Sequence, residues 1–202
     1  MALPRARNLA GPSRGFTLIE LMVSLTVLAI LLSVAVPSFS ALMASNRLST
    51  QTSEFIGALN LARGEAVRRG DAVAVRADGG SLNFSTGWKV FTDQDRDGAI
   101  PTTVTAADGT VIREANASSG TTAINRVKRS GSAGAYTYAS ATEADRMYLV
   151  FTARGGIETS SAALSPTFFK VCDTANTAVK GRIVQVNVVG KISLDSTNES
   201  CT

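Results

Sequence analysis

The chain has no histidine, and only two of its 202 residues are cysteine. Without histidine there is no Ser-His-Asp or Cys-His base, and Cys172 and Cys201 lack the CxxC spacing of zinc or redox motifs. No Gly-rich phosphate loop is present. Lone serines and carboxylates do not make an active site, so the sequence predicts no enzyme, no cofactor and no resident metal. Aromatic residues are sparse at 6%, with Trp88 the single tryptophan, and no acidic residue precedes Glu20. Arg5, Arg7 and Arg14 therefore stand alone as charges at the start, and a positive start holds the cytoplasmic side and sends the rest of the chain outward.

What the sequence does have is a long apolar run. From Phe16 to Val36 there are 21 residues with Glu20 as the only charge. As a helix that run is about 32 Å long, enough to cross a bilayer core of roughly 30 Å. A carboxylate inside such a segment costs about 2.5 to 3.5 kcal/mol near the bilayer centre and less towards an edge, and it is usually kept for a partner. The expected partner is an amine. A secretory signal has a basic start as well, and Ser33-Val34-Ala35 resembles its cleavage site, but its apolar region spans only about 7 to 15 residues and lacks a carboxylate. A plain single-span anchor explains the length but not Gly15 together with Glu20.

Gly15-Phe16-Thr17-Leu18-Ile19-Glu20 resembles the type III signal of type IV pilins and type II secretion pseudopilins. The resemblance implies cleavage by a prepilin peptidase between Gly15 and Phe16, N-methylation of Phe16, and pairing of Glu20 with the N-terminal amine of a neighbouring subunit. It also implies an inner-membrane assembly platform and other pilins or pseudopilins, minor and major, as partners. Physically this is consistent, since two buried charges that neutralise each other lose much of their cost.

The formal charge of +4 invites a nucleic-acid reading, but three of the basic residues lie in the leader that cleavage would remove. From residue 16 onward 17 Lys and Arg face 16 Asp and Glu, so the bulk charge argument mostly disappears. An asymmetry survives: residues 71 to 108 hold six acids and three bases, residues 109 to 191 ten bases and five acids. Outside the cytoplasmic membrane disulfides persist, so a Cys172–Cys201 bridge is the expected state, with two free thiols or half a metal site as weaker alternatives. By the chain-entropy model, closing that loop contributes about 3 kcal/mol.

Four segments follow: a leader at 1–15, a spanning helix at 16–36, an amphipathic continuation at 37–70 and a periplasmic β-rich domain at 71–202. The helix is expected to bend at Pro37. Leu48, Phe55, Leu59, Ala62 and Ala66 recur at helical spacing up to about Arg69, with Gly70 as the stop. Gly57 and Gly64 weaken this helix, so its stability is expected from a sheet packed on its Phe55/Leu59 face. Strands are expected at 72–76, 87–91, 111–113, 147–152, 167–172, 182–188 and 191–194, the last two joined by a tight turn at Val188-Val189-Gly190-Lys191. Residues 115 to 144, rich in Ser, Gly, Ala and Thr, read as a long loop or poorly paired edge. The fold class is α+β: a helical spine with an antiparallel β domain packed on its second half.

Leu61 to Gly70, Gly87-Trp88-Lys89-Val90-Phe91 with Asp93 to Gly98, and Phe169 to Asp173 are similar to the GspH/FimT branch of minor pilins and pseudopilins. Asp93, Asp95, Asp97 and Gly98 match the opening of a calcium loop, but its twelfth position is Val104 instead of a bidentate Glu, and an acidic turn is the better account. Some FimT-type pilins bind DNA through Gly-Arg-x-Arg. Here Gly181-Arg182-Ile183-Val184 keeps half the motif, with Lys180 and Lys191 nearby on the expected final hairpin and Arg126, Lys128 and Arg129 as further phosphate contacts. Trp88, Phe91, Phe151, Phe168 and Phe169 read as core. The function implied is a minor pilin or pseudopilin in the tip or priming complex of a filament, with DNA capture as the alternative.

Overall fold

The computed structural model of the chain describes residues 15–78, 83–94, 109–116, 121–130, 135–138, 148–158, 166–176 and 179–201. They fall into two units, Met1–Ser40 and Ala41–Thr202. Helix α1, Leu18–Arg69, makes up the regular structure of the first and opens the second, and its helical assignment passes through Pro37.

In the first unit the helix starts where Thr17 allows it. Thr17 carries no regular structure, its hydroxyl accepts from the Glu20 N–H at 3.3 Å, and its carbonyl accepts from Leu21 at 3.1 Å. That is an N-cap, satisfying a donor the first turn would otherwise leave open. The large apolar side chains from Leu18 to Phe39 are all exposed. Ser24, Thr26 and Ser33 turn their hydroxyls back onto the carbonyls of Glu20, Val23 and Ile30. A helix that bonds its own hydroxyls presents little polarity sideways, the condition for contact with hydrocarbon.

In the second unit the same helix becomes one-sided. Ala44, Leu48, Thr52, Phe55, Leu59, Ala62 and Ala66 are buried, each three or four residues from the last, which puts them on a single stripe. The helix ends at Gly70, whose φ of 71° is left-handed; Gly70 and Asp71 both donate to the Ala66 carbonyl, at 3.0 and 3.2 Å. A residue with a Cβ would be strained there.

Among the described residues nine strands follow: β1 Val73–Ala77, β2 Gly87–Thr92, β3 Val111–Asn116, β4 Thr122–Ser130, β5 Ala135–Tyr138, β6 Tyr148–Phe151, β7 Thr167–Asp173, β8 Gly181–Val186 and β9 Ile192–Glu199. They form two antiparallel sheets, ordered β3-β2-β1-β6 and β5-β4-β7-β8-β9. Alternate residues face the helix: Val73, Val75 and Ala77 from β1, Phe169 and Val171 from β7, Val184 and Val186 from β8. Phe55 is the centre of this core, its ring edge-on to Phe169 at 5.0 Å, Phe84 at 5.5 Å and Trp88 at 6.3 Å. Arg126 of β4 ties the two sheets, donating to the Tyr148 carbonyl of β6 at 3.1 Å and to the Thr167 hydroxyl of β7 at 3.2 Å. The far side of the second sheet carries its own small cluster of Val127, Tyr136, Phe168 and Ile183.

The α+β class, the helix stop at Gly70 and the helix-facing core match the sequence expectation. The stretch from 115 to 144, expected as a long loop or poorly paired edge, matches only in part: β5 is a short edge strand, but β4 is an interior strand bonded to β5 and β7. Ile124 faces the main core and Val127 the opposite face, so two apolar positions suffice to anchor β4 once β7 supplies a fully buried partner. The final strand also runs further than expected, to Glu199. Of the acidic turn, Asp93 is buried with its N–H on the Ala72 carbonyl at 3.0 Å, while Asp95, Asp97 and Gly98 lie outside the described residues.

Candidate functional site

Two groups of residues carry chemistry, one at the start of α1 and one on the β domain. At the start, Gly15, Phe16 and Thr17 have no regular structure, Phe16 is exposed, and Glu20 falls in the first helical turn. The Gly15–Phe16 bond is thus outside the helix, where a peptidase reaches backbone most readily. A carboxylate in the first turn is also favoured by the helix dipole.

On the β domain, α1 and β8 run alongside each other in the same direction. Arg182 at the start of β8 donates to the Ser49 hydroxyl at 3.3 Å, and Arg63 donates to the Val189 carbonyl beyond its end at 3.3 Å. Fourteen helical residues and seven extended ones both cover about 21 to 23 Å, so the pairing is consistent along its length. The domain therefore has a near end, beside residues 41–49 where the chain enters it, and a far end beside Arg63.

The near end is built around the bonded pair Cys172–Cys201, with Cα atoms 5.5 Å apart across 29 positions. A Cβ placed on Gly181 would meet the Cys172 sulfur at 2.7 Å and both the Cys201 sulfur and the Val171 carbonyl at 3.0 Å. Gly181 is required for that approach, which gives the glycine of the half-motif a packing role. Next to it Asp173 is buried. Burial alone would raise its carboxyl, but the Thr121 hydroxyl, the Ala175 and Asn176 N–H groups and the charge of Arg47 more than offset this, so it titrates below its ordinary value. Lys180 is exposed and Arg182 half-buried at this end.

At the far end two loops meet on Arg63. Its Nε donates to the Gly155 carbonyl at 2.9 Å and its guanidinium also reaches Val189; Ile157 donates to Val188 at 3.0 Å. Gly190, at φ 76°, sits so close to the Gly155 carbonyl that a Cβ would lie 1.8 Å from it. Lys191 follows here, exposed. Lys180 and Arg182 are therefore together, and Lys191 is at the opposite end of the hairpin. Arg126 is engaged between the sheets, Arg129 is exposed, and the side chain of Lys128 lies outside the described residues. Among the described residues no group of three or more His, Cys, Asp or Glu could hold a metal ion.

Sequence reasoning missed Arg63. Its signal was the pair of distant glycine-bearing turns, Gly155-Gly156 and Gly190, whose bare carbonyls leave acceptors for a long cationic side chain. It also grouped Lys191 with Arg182 because a hairpin brings its strands together, although the two residues sit at opposite ends of β8.

A family model described as Type II transport protein GspH matches residues 51–190, and one described as Prokaryotic N-terminal methylation motif matches residues 12–36. Among solved structures, the type IV minor pilin FimU of Pseudomonas aeruginosa aligns at a TM-score of 0.52 with 20% identity, covering 78% of this chain and 97% of FimU. The minor pseudopilin EpsH of Vibrio cholerae aligns at 0.43 with 12% identity, covering 74% of this chain and 96% of EpsH. None of the curated proteins matches. The FimU likeness bears on fold alone: an N-terminal helix packed on antiparallel sheets. The GspH match spans more than half of the 202 residues, and on that ground the chain belongs to the GspH family.

Proposed function

We propose that the protein is a minor pilin or pseudopilin, structural and not catalytic, that waits in the inner membrane on residues 16–36 with its β domain in the periplasm. A prepilin peptidase cuts between Gly15 and Phe16, Phe16 is N-methylated, and Glu20 then pairs with the N-terminal amine of a neighbouring subunit at the assembly platform. The subunit joins the tip or priming complex of a type IV pilus or type II secretion pseudopilus. The observation that carries this reading is the methylation motif over residues 12–36, which overlaps a helical stretch, Leu18 to Phe39, whose large apolar side chains are all exposed. Such a surface needs either lipid or other helices against it.

Glu20→Ala tests it. The variant is expected to be processed normally but to appear in sheared filaments at a small fraction of the wild-type level; normal incorporation would refute the role of Glu20. Deleting the gene and scoring exoprotein secretion beside piliation and transformation separates the two systems. DNA capture is the weaker reading, because Lys191 and Arg182 belong to opposite ends of the domain.

A further inference from the structure

We propose that the near end of the β domain is a docking surface for anionic phospholipid headgroups, contacted by Arg47, Lys180 and Arg182. The inference rests on the membrane-held state proposed above and adds a resting position for the domain within it.

Three observations carry it. Arg182 and Ser49 are bonded, Arg47 lies close enough to Asp173 to influence it, and Lys180 precedes β8 directly, so the three cations share one end of the domain. Their charge is available outward. Among the described residues, the ion pairs within 4.0 Å join Glu65 to Arg68 and Arg69, and Lys89 to Asp78 and Glu114, and involve none of the three. Asp173, the acid that Arg47 influences, is 1% exposed, with its Oδ1 taking three hydrogen bonds from within the domain. Glu199, opposite Gly181, and Asp195, opposite Ile183, are only partly exposed, and Asp195 also accepts from the Tyr136 hydroxyl.

The tether decides between phosphate sources. Arg47 follows Val36 by eleven residues, which reach about 16 Å as helix and at most about 40 Å fully extended. A surface held that close to a bilayer meets headgroup phosphates at high effective concentration, whereas a duplex must be captured from solution. Each basic residue near an anionic surface favours the docked state by roughly fivefold, within a screening length of about 10 Å at 0.1 M salt. The domain would thus lie down on the bilayer until incorporation into a filament lifts it.

The test uses the full chain in nanodiscs of phosphatidylcholine alone or mixed with phosphatidylglycerol, each with a trace of headgroup-dansylated lipid. Trp88, the single tryptophan, is the energy-transfer donor. Transfer is expected to be higher in the phosphatidylglycerol discs and to fall to the phosphatidylcholine level near 1 M salt, where the screening length is about 3 Å. The Arg47→Gln, Lys180→Gln, Arg182→Gln triple variant should lose that difference, lowering the docked-to-undocked ratio by about tenfold or more. Lys191→Gln, at the far end, should keep it. Oxidised cysteines and an unchanged denaturation midpoint establish that the triple variant is folded; if it is not, the three single variants are read instead, each lowering the ratio a few fold. Equal transfer in both discs at low salt overturns the docking surface while leaving the membrane-held state intact. Failure of the chain to enter discs at all overturns both. A mobility shift of duplex DNA that the triple variant abolishes, with transfer unchanged, assigns the three residues to DNA and also overturns the proposal.

Discussion

Helix α1 lives in two environments. Up to Phe39 it exposes its apolar side chains on every side, with hydroxyls turned inward, whereas from Ala44 onward it buries a single stripe and leaves polar residues on the rest. The helical assignment is continuous through both halves. What changes is what satisfies the surface: in the first half something outside this chain, in the second the two sheets. Stability should divide accordingly, with the second half depending on tertiary packing and the first on lipid or on other subunits.

The strongest way to break that comparison is Phe55→Ala. Removing the ring that touches Phe169, Phe84 and Trp88 should cost about 3 to 5 kcal/mol, a large share of a typical domain's stability. Denaturant midpoints of the β domain should fall sharply, while membrane insertion and the ratio of processed to unprocessed chain stay as in the wild type. Loss of processing in this variant would mean that the two halves are not independent.

Gly181→Ala comes next. The added methyl has to displace the Cys172 sulfur, so a loss of about 1 to 3 kcal/mol is expected, read as a lower urea midpoint. In a Cys172→Ser, Cys201→Ser background the same substitution should cost distinctly less, which a double-mutant cycle would reveal.

A pH series sharpens the comparison further. Asp173 titrates below its ordinary value in the fold, so its contribution is complete above the usual carboxylate pKa of about 3.9 and is lost as pH falls through the lower folded value. Domain stability should therefore drop below about pH 4, and Asp173→Asn should flatten that part of the profile relative to wild type. Identical slopes would contradict the assignment.

The smallest effect is expected at Glu65. Arg68 and Arg69 hydrogen-bond it and hold its carboxyl down to about 2, yet the cluster lies at the solvent boundary, with the Arg68 side chain 64% exposed. Exposed pairs of this kind contribute little, and Glu65→Gln should leave the denaturation midpoint unchanged within error. A clear loss would show that the helix end is supported from its solvent side as well as by the sheets.

How much of this was legible in the sequence follows from how local each signal is. The apolar run, the stop at Gly70 and the Phe55/Leu59 stripe are written in neighbouring residues, and all of them could be read. β4 could not, because its polar, Thr- and Asn-bearing sequence becomes a strand only when β7 is beside it. The same holds for Arg63, whose acceptors are 92 and 126 positions away in the chain. The disulfide partners were plain, since there are only two cysteines, but the need for glycine at position 181 appears only once three strands are in place.

That need at position 181 is asymmetric. The cysteines can be replaced while Gly181 remains, since removing sulfur only opens space beside it. Gly181 cannot gain a side chain without penalty while the bridge stands. Substitutions at these three positions are therefore ordered in time: a lineage that loses the bridge first can vary at 181 at lower cost, limited then by the Val171 carbonyl, whereas one that varies at 181 first carries the full strain until the bridge is gone. The glycine is a record of the disulfide, and any chain of this fold with a bulkier residue there is expected to lack the bridge or to have moved a strand to keep it.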